Sequence, residues 1–263
     1  MKDAVAILGC GPAGLLAAHA AVQMEHPIKI ISVKKPSIMF GAMYLHKPIP
    51  EVTSPDPGFM VKILKTGSSW QYAEKVYGDR HAMVSWDKFD EGEVPAWDLK
   101  LAYRVLWDLY EGAIHDLKLT PDAVWSLTTN YRHVVSTVPL RSICYEPDKH
   151  QFRSQRIWVH HGEQPQDALW DENLMHYNST PEVEWYRHSI IRGYMSWEYA
   201  HEPIHAEEHG FELSSGFKPV YSTCPCHPAV LKVGRYGAWD KHQLSHHAYF
   251  KTLEALEPSR VVQ

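Results

Sequence analysis

The chain has little that would send it to a membrane or staple it covalently. No uninterrupted apolar segment approaches the roughly 20 residues needed to span a bilayer. Basic residues are not in excess: 26 Lys and Arg against 31 Asp and Glu leave a formal net charge of −5. That total excludes a global basic field for tight non-specific binding to nucleic acid, though a local basic groove is compatible with it. Internal repeats and low-complexity tracts are missing. The first apolar run begins within three residues of Met1, leaving no room for a basic n-region, an apolar h-region and a cleavage site, so a cytoplasmic protein is expected.

Cysteine is also scarce, with Cys10, Cys144, Cys224 and Cys226. In a cytosolic chain these read as reduced thiols rather than a disulfide framework. The run Cys224-Pro225-Cys226-His227 invites a metal. Zinc sites, however, favour C-x-x-C spacing and need four ligands from a recognisable second cluster, so no metal is expected. With 263 residues the chain is long enough for one or two domains and buries a sizeable core without such help.

What is present is concentrated between residues 3 and 33. An apolar run, Ala4 to Leu8, breaks at Gly9-Cys10-Gly11-Pro12-Ala13-Gly14, passes into an alanine-rich stretch and returns as Ile28 to Val33. This predicts strand, tight turn, helix, strand. Gly9 permits the sharp turn, Gly11 lets backbone approach a pyrophosphate, and Gly14 lets helix and strand pack closely. The helix would aim its N-terminal N–H groups and positive dipole end at the phosphates. The candidate contacts are Gly9, Gly11, Pro12, Ala13 and Gly14; the bland alternative is a glycine-rich turn that binds nothing. At the end of the second strand, where Asp or Glu usually meets the ribose, stand Ser32, Val33, Lys34 and Lys35. Ser32 can bond a ribose more weakly, and the lysines can meet a phosphate, which leaves NADP open beside other dinucleotides.

Further along, residues 35–50 predict a long, mostly apolar loop carrying Tyr44, His46 and Lys47 at the carboxyl edge of the sheet. Residues 51–58 are turn material. A short strand is expected at 59–65, a helix at 68–77, and a loop-rich excursion over 78–96. Residues 97–110 place Leu101, Val105 and Leu106 at helical spacing, a core-facing amphipathic helix. Thr120-Pro121-Asp122 caps another. Residues 131–140 read as a buried strand ending at Thr137, Val138 and Pro139. Short β-prone runs at 153–160 and 174–177 fit an antiparallel layer, and 185–193 alternates so that one face presents Arg187 and Ser189. Near the end a strand leads into Gly234-Arg235-Tyr236-Gly237-Ala238-Trp239, readable as a ligand contact or as a structural turn, and then a helix over 244–256.

Taken together, these pieces resemble the two-dinucleotide-binding-fold flavoproteins, the group that contains amine oxidases and UDP-galactopyranose mutases. The turn Gly9 to Gly14 is similar to that group's ADP-binding motif, Val134 to Leu140 to its central strand, and Gly234 to Gly237 to the late glycine-arginine turn of the mutases. The resemblance implies an α/β fold: a Rossmann-like FAD-binding domain with a parallel sheet (1–58, 120–145 and 228–263) and a small interleaved antiparallel β substrate layer (59–119 and 146–227). It implies FAD held extended, with its pyrophosphate at Gly11 to Gly14, Ser32 to Lys34 toward the ribose, Thr137 to Pro139 alongside, and its ring near Gly234, Arg235, Tyr236, Gly237 and Trp239. A looser similarity joins the chain to small bacteriophage-encoded flavoproteins, some of which act in pathways that modify thymine in phage DNA; the host cytoplasm would then be the compartment.

The expected activity is a flavin-dependent oxidoreductase that oxidises a C–N or C–H bond of a small polar or nucleotide-linked substrate, with an aminoacyl-modified thymine base as one candidate. Arg187 and Arg235 can clamp a carboxylate or phosphate. His46, His246 or His247 can move a proton near neutrality. Two other classes remain open: a non-redox flavin enzyme of the UDP-sugar mutase type, and an NAD(P)- or FAD-binding redox sensor.

Overall fold

A computed structural model of the protein describes residues 3–37, 39, 43–53, 58–82, 84, 86, 90–163, 173–204 and 212–257. In chain order the elements are β1 (Val5–Leu8), α1 (Pro12–Gln23), β2 (Ile28–Ser32), β3 (Tyr44–Leu45), β4 (Phe59–Thr66), α2 (Ser69–Tyr77) and β5 (Gly92–Asp98). Next come α3 (Leu99–Tyr110), β6 (Ile114–Asp116), α4 (Pro121–Asn130), β7 (His133–Ser136), β8 (Phe152–Glu163) and β9 (Leu174–Asn178). The remainder are β10 (Trp185–Ile191), β11 (Tyr194–Tyr199), β12 (Glu212–Ser222), β13 (Leu231–Lys232), α5 (Gly234–Ala238) and α6 (Ser245–Leu256). Two compact units result: Met1–Ile38, Leu101–Ser154 and Pro219–Gln263 form the first, and Met39–Lys100 with Gln155–Lys218 the second.

The first unit is organised by β1, whose four side chains are all fully buried. A strand apolar on both faces needs cover on both sides, the signature of a parallel sheet. That sheet runs β13-β7-β1-β2-β6, with every pairing parallel. The alanine-rich α1 is buried from Gly14 to Ala21, since α6 packs along its outer side. A helix covered on two sides has no need of a polar stripe. A core of Leu8, Ile31, Val124, Val134, Leu140, Ile143, Val230 and Trp239 fills the region around α4.

The second unit carries the sheet β12-β8-β11-β10-β9-β4-β5-β3. Its β4–β9 pair is parallel, while β10–β11, β9–β10, β8–β11, β4–β5 and β3–β5 are antiparallel. β10 and β11 are joined by Arg192 and Gly193, at φ 51° and 76°. Two successive left-handed residues form the hairpin turn that suits the strand twist. Tyr72, Val61, Ile63, Met175, Tyr177 and Tyr186 centre its core.

The α/β class with a parallel nucleotide-type sheet and a largely antiparallel second layer is as expected. Three local expectations change. Trp97 and Asp98 belong to β5, and α3 buries Ala102, Tyr103 and Leu106 while Leu101 is 44% exposed. Ser189 does not face solvent: β10 is an inner strand, and the Ser189 hydroxyl is buried 2.7 Å from that of Ser196 on β11. The stretch from Gly234 is a short helix rather than an open turn. Within the 35–50 loop, residues 38 and 40–42 lie outside the described residues.

Candidate nucleotide-binding site

In the five-stranded sheet the chain leaves β1 toward β2 on one side, and β7 lies on the other. The carboxyl ends of β1 and β7 therefore flank the switch point at which such sheets take ligands. The Gly9–Gly14 turn sits there, with Gly9 at φ +104°, a conformation L side chains rarely adopt. The Gly9 amide donates to Ile31 O at 3.0 Å, and the Thr137 amide and hydroxyl both donate to Leu8 O, at 2.8 and 3.0 Å.

Three segments distant in sequence meet at this point. A Cβ on Gly9 would lie 2.5 Å from Thr137 Oγ1, and one on Gly14 only 2.0 Å from Gly9 O. A Cβ on Gly234, itself at φ +69°, would lie 2.7 Å from the Cβ of Ala13; one on Gly237 would lie 2.3 Å from Ser136 O. Glycine at these four positions is demanded by the polypeptide's own packing. Gly11 differs. Its φ is −71°, open to any residue, and among the described residues a Cβ there would meet only Ser37 Oγ, at 3.1 Å. The fold alone gives Gly11 little reason to lack a side chain.

Gly11 is also the N-cap of α1, and no side chain caps that helix; Pro12 occupies its first turn without an N–H to satisfy. A helix N-terminus capped by glycine, with no acidic residue in the first turn, suits an anion brought against the backbone. The residues present thus fit the pyrophosphate of a dinucleotide.

Tyr103, on α3 and not among the residues the sequence singled out, braces the turn. Its hydroxyl donates to Cys10 O at 3.1 Å and accepts the Ser37 amide at 3.0 Å. Burial raises its pKa, so the phenol stays protonated and able to donate. The Cys10 thiol points back to the carbonyls of Val33 and Lys35, at 3.5 and 3.7 Å.

Ser32 ends β2 with its hydroxyl turned to Val33 O at 3.2 Å. The acid missing from β2 has a neighbour: Asp116, at the end of β6, pairs in register with Ser32 and accepts the Lys34 amide at 3.1 Å. Counting along β2 cannot find a carboxylate arriving from the adjacent strand. Val33, Lys34 and Lys35 are exposed.

The late turn divides by role. Tyr236 is 44% exposed and Arg235 half-buried, whereas Trp239 is a core residue: it packs edge-on against Phe152, and its indole N–H donates to Arg153 O at 3.0 Å. Val138 is half-buried, and Pro139 leads into a 3₁₀ turn over Leu140–Ile143, where its carbonyl accepts from Ser142.

The four residues singled out for catalysis are held in other ways. Arg187 donates through Nε at 2.9 Å and through an Nη to Glu198 Oε1. The other oxygen of Glu198 accepts from Tyr186 at 2.7 Å and from Lys218. Glu198 is 1% exposed; burial alone would raise its pKa, but Arg187 and Lys218 hold the carboxyl well below the usual range. Arg187 is therefore one arm of a buried ion network in the second unit, not an anion clamp free for substrate. His247 Nδ1 accepts the Leu244 amide at 3.2 Å and so caps α6, while His246, 3% exposed, lies with its ring centroid 4.4 Å from that of His247. His46, in the second unit, sits edge-on to Tyr44 at 4.7 Å.

No family model matches the chain, and no curated protein matches its sequence. Solved structures match its fold across almost its whole length. A reduced UDP-galactopyranose mutase aligns with TM-score 0.56 at 11% identity, over 97% of this chain and 93% of the mutase. BrvH, a flavin-dependent halogenase from Brevundimonas sp. BAL3, aligns with TM-score 0.54 at 12% identity, over 97% and 71%. HpxO of Klebsiella pneumoniae, complexed with FAD and uric acid, aligns with TM-score 0.51 at 12% identity, over 98% and 80%. The chain has the fold of FAD-binding flavoproteins. Among the described residues no helix is long and apolar enough to cross a membrane.

Proposed function

We propose that this protein is an FAD-dependent oxidoreductase acting on a small polar substrate. The observation that carries the reading is Gly11, a helix-capping glycine whose backbone angle suits any residue and whose Cβ would meet, among the described residues, only a rotatable Ser37 hydroxyl, beside Gly9, Gly14, Gly234 and Gly237, which are all required. A side chain is left out at the one place where a pyrophosphate would need the room.

In this reading Gly11, Ala13 and Gly14 meet the pyrophosphate through the backbone and the α1 dipole. Ser32 and Asp116 accept from the ribose hydroxyls, the carboxylate standing in for the acid that β2 lacks. Lys34 adds positive charge near the phosphates, and Thr137 to Pro139 with Gly234 to Gly237 line the path toward the ring. Arg235, half-buried beside that turn, is the cation assigned to an anionic substrate group. Bound FAD would supply the hydride acceptor for oxidation of a C–N or C–H bond. An aminoacyl-modified thymine base is one candidate substrate, drawn from the sequence resemblance.

The test is to extract the ligand from purified protein and identify it by mass spectrometry, then to mix the flavin-loaded protein with candidate amines and amino acids in the absence of air. Bleaching of the flavin by a substrate supports oxidation. A colourless protein that cannot be reconstituted with FAD overturns the reading, and a requirement for prior reduction with no net electron transfer replaces oxidation with mutase-type chemistry.

A further inference from the structure

Cysteines that look unrelated in sequence converge in the first unit. Cys144 follows the 3₁₀ turn after β7, His150 closes the next turn, and Cys224 and Cys226 follow β12. Their four ligand atoms all lie within 4.8 Å of one another. Cys144 Sγ is 3.4 Å from Cys224 Sγ, 3.7 Å from Cys226 Sγ and 3.1 Å from His150 Nδ1. A tetrahedral zinc ion with ordinary Zn–S and Zn–N bonds holds its ligand atoms about 3.8 Å apart for two sulfurs and about 3.6 Å apart for sulfur and nitrogen. A disulfide would bring two sulfurs to about 2.05 Å. The three separations lie within about 0.5 Å of the edges of a coordination tetrahedron and far outside a disulfide bond.

From this geometry we infer that Cys144, His150, Cys224 and Cys226 form a structural zinc site. The expectation of no metal rested on the absence of a second ligand cluster; folding supplies it from about 80 residues away. Backbone amides are already turned onto the sulfurs: that of Glu146 to Cys144, that of Cys226 to Cys224 and that of Tyr145 to Cys226. The loops are pinned from behind. His227, buried and held at φ 56°, is bonded through Nε2 to Ile143 O at 2.7 Å, and Lys232 donates to Cys226 O at 2.5 Å. Three thiolates and one imidazole around Zn²⁺ leave one negative charge, which the Lys232 ammonium sits near enough to offset.

The donor set is specific. Thiolate and imidazole in a closed tetrahedron select zinc over magnesium or calcium, and four protein ligands leave no open position for catalysis. On binding, each thiol releases its proton to solvent as the metal–sulfur bond forms, with no change in oxidation state. The role is to clip chain ends. Gln151 and Thr223 exchange backbone and side-chain hydrogen bonds at 3.1 Å immediately beside the cluster, where β8 begins and β12 ends. A metal clip across a loop this long constrains the unfolded chain strongly, and it anchors the segment that leads from Cys226 to the Gly234 turn.

The test begins with metal content of the full-length protein, grown in zinc-supplemented medium and purified without chelator: one zinc per chain is expected. Metal stripped under reducing conditions and replaced by cobalt(II) should give thiolate-to-cobalt charge transfer and the intense visible bands of a tetrahedral site, bleached by one equivalent of zinc. Cys226→Ser should weaken cobalt binding at least tenfold, and His150→Cys should keep a tetrahedral spectrum with stronger charge transfer. The cobalt titration of the unmodified chain needs no variant to fold. Protein that holds no zinc and leaves cobalt(II) six-coordinate overturns the proposal, as does a non-reducing mass lower by two hydrogens that maps to a disulfide among these cysteines.

Discussion

The two sheets of this protein handle polarity in opposite ways. Around the parallel sheet, the chain clears side chains away: glycine at positions 9, 11, 14, 234 and 237 leaves backbone amides and carbonyls as the working groups. Within the mixed sheet, the chain buries charge and lets it neutralise itself, with Glu198 receiving Arg187, Lys218 and Tyr186. A site made of backbone can accept a charged ligand without first giving up an internal partner. A charged cluster that is already satisfied holds a strand register instead. Arg187, easily taken for an anion clamp, therefore does structural work in the mixed sheet.

This contrast can be broken by substitution. The largest effect is expected from Glu198→Gln, which leaves two cations facing each other without their carboxylate and should cost about 3–5 kcal/mol of stability in denaturant unfolding. If the loss were instead confined to catalysis, the network would be functional. The sign with pH follows from the depressed Glu198 carboxyl. Its stabilisation is complete above the unfolded value near pH 4.3 and fades as pH falls below it.

A second acid-sensitive window belongs to His188. Burial, then the nearby His176, lowers its pKa to about 4, and its ring stacks on Trp197 with centroids 4.7 Å apart. The unfolded chain takes up a proton near pH 6.5 that the folded ring refuses, so stability should fall by at most about 3 kcal/mol as pH drops from about 6.5 to about 4. His188→Phe keeps the stack and should flatten that part of the profile, while leaving the lower window due to Glu198 in place. A smaller effect is expected at the parallel sheet. Asp116→Ala should weaken FAD binding by about 1 kcal/mol, roughly fivefold, with little change in melting temperature if the carboxylate serves the ribose.

Much of the fold was legible wherever its signals are local. Gly9 to Gly14 follows an apolar strand directly, Ser68 and Gly78 bracket α2 as cap residues, and Thr120 with Pro121 opens α4, its hydroxyl accepting the Ala123 amide. What was not legible depends on neighbours across strands. Asp116 is brought beside Ser32 by a three-residue strand too short to show a period. β12, with Gly216 and Pro219 in its run and mostly polar neighbours, has no clean alternation to read. The Arg187 pairing could have been found. Taking Arg192-Gly193 as a two-residue hairpin turn fixes the register that sets Arg187 opposite Glu198, His188 opposite Trp197 and Ser189 opposite Ser196. The cysteine cluster could not, since nothing local ties Cys144 to Cys224.

Gly11 decides the central claim. FAD titrated into the apo forms of the unmodified protein and of Gly11→Ala, with thermal melting of both in parallel, separates a cofactor site from a structural turn. Gly11→Ala should melt within a few degrees of the parent while its FAD affinity drops about tenfold or more, because among the described residues only the Ser37 hydroxyl stands near the added methyl. Equal FAD affinity in the two proteins, or a melting temperature that collapses together with flavin binding, would contradict it.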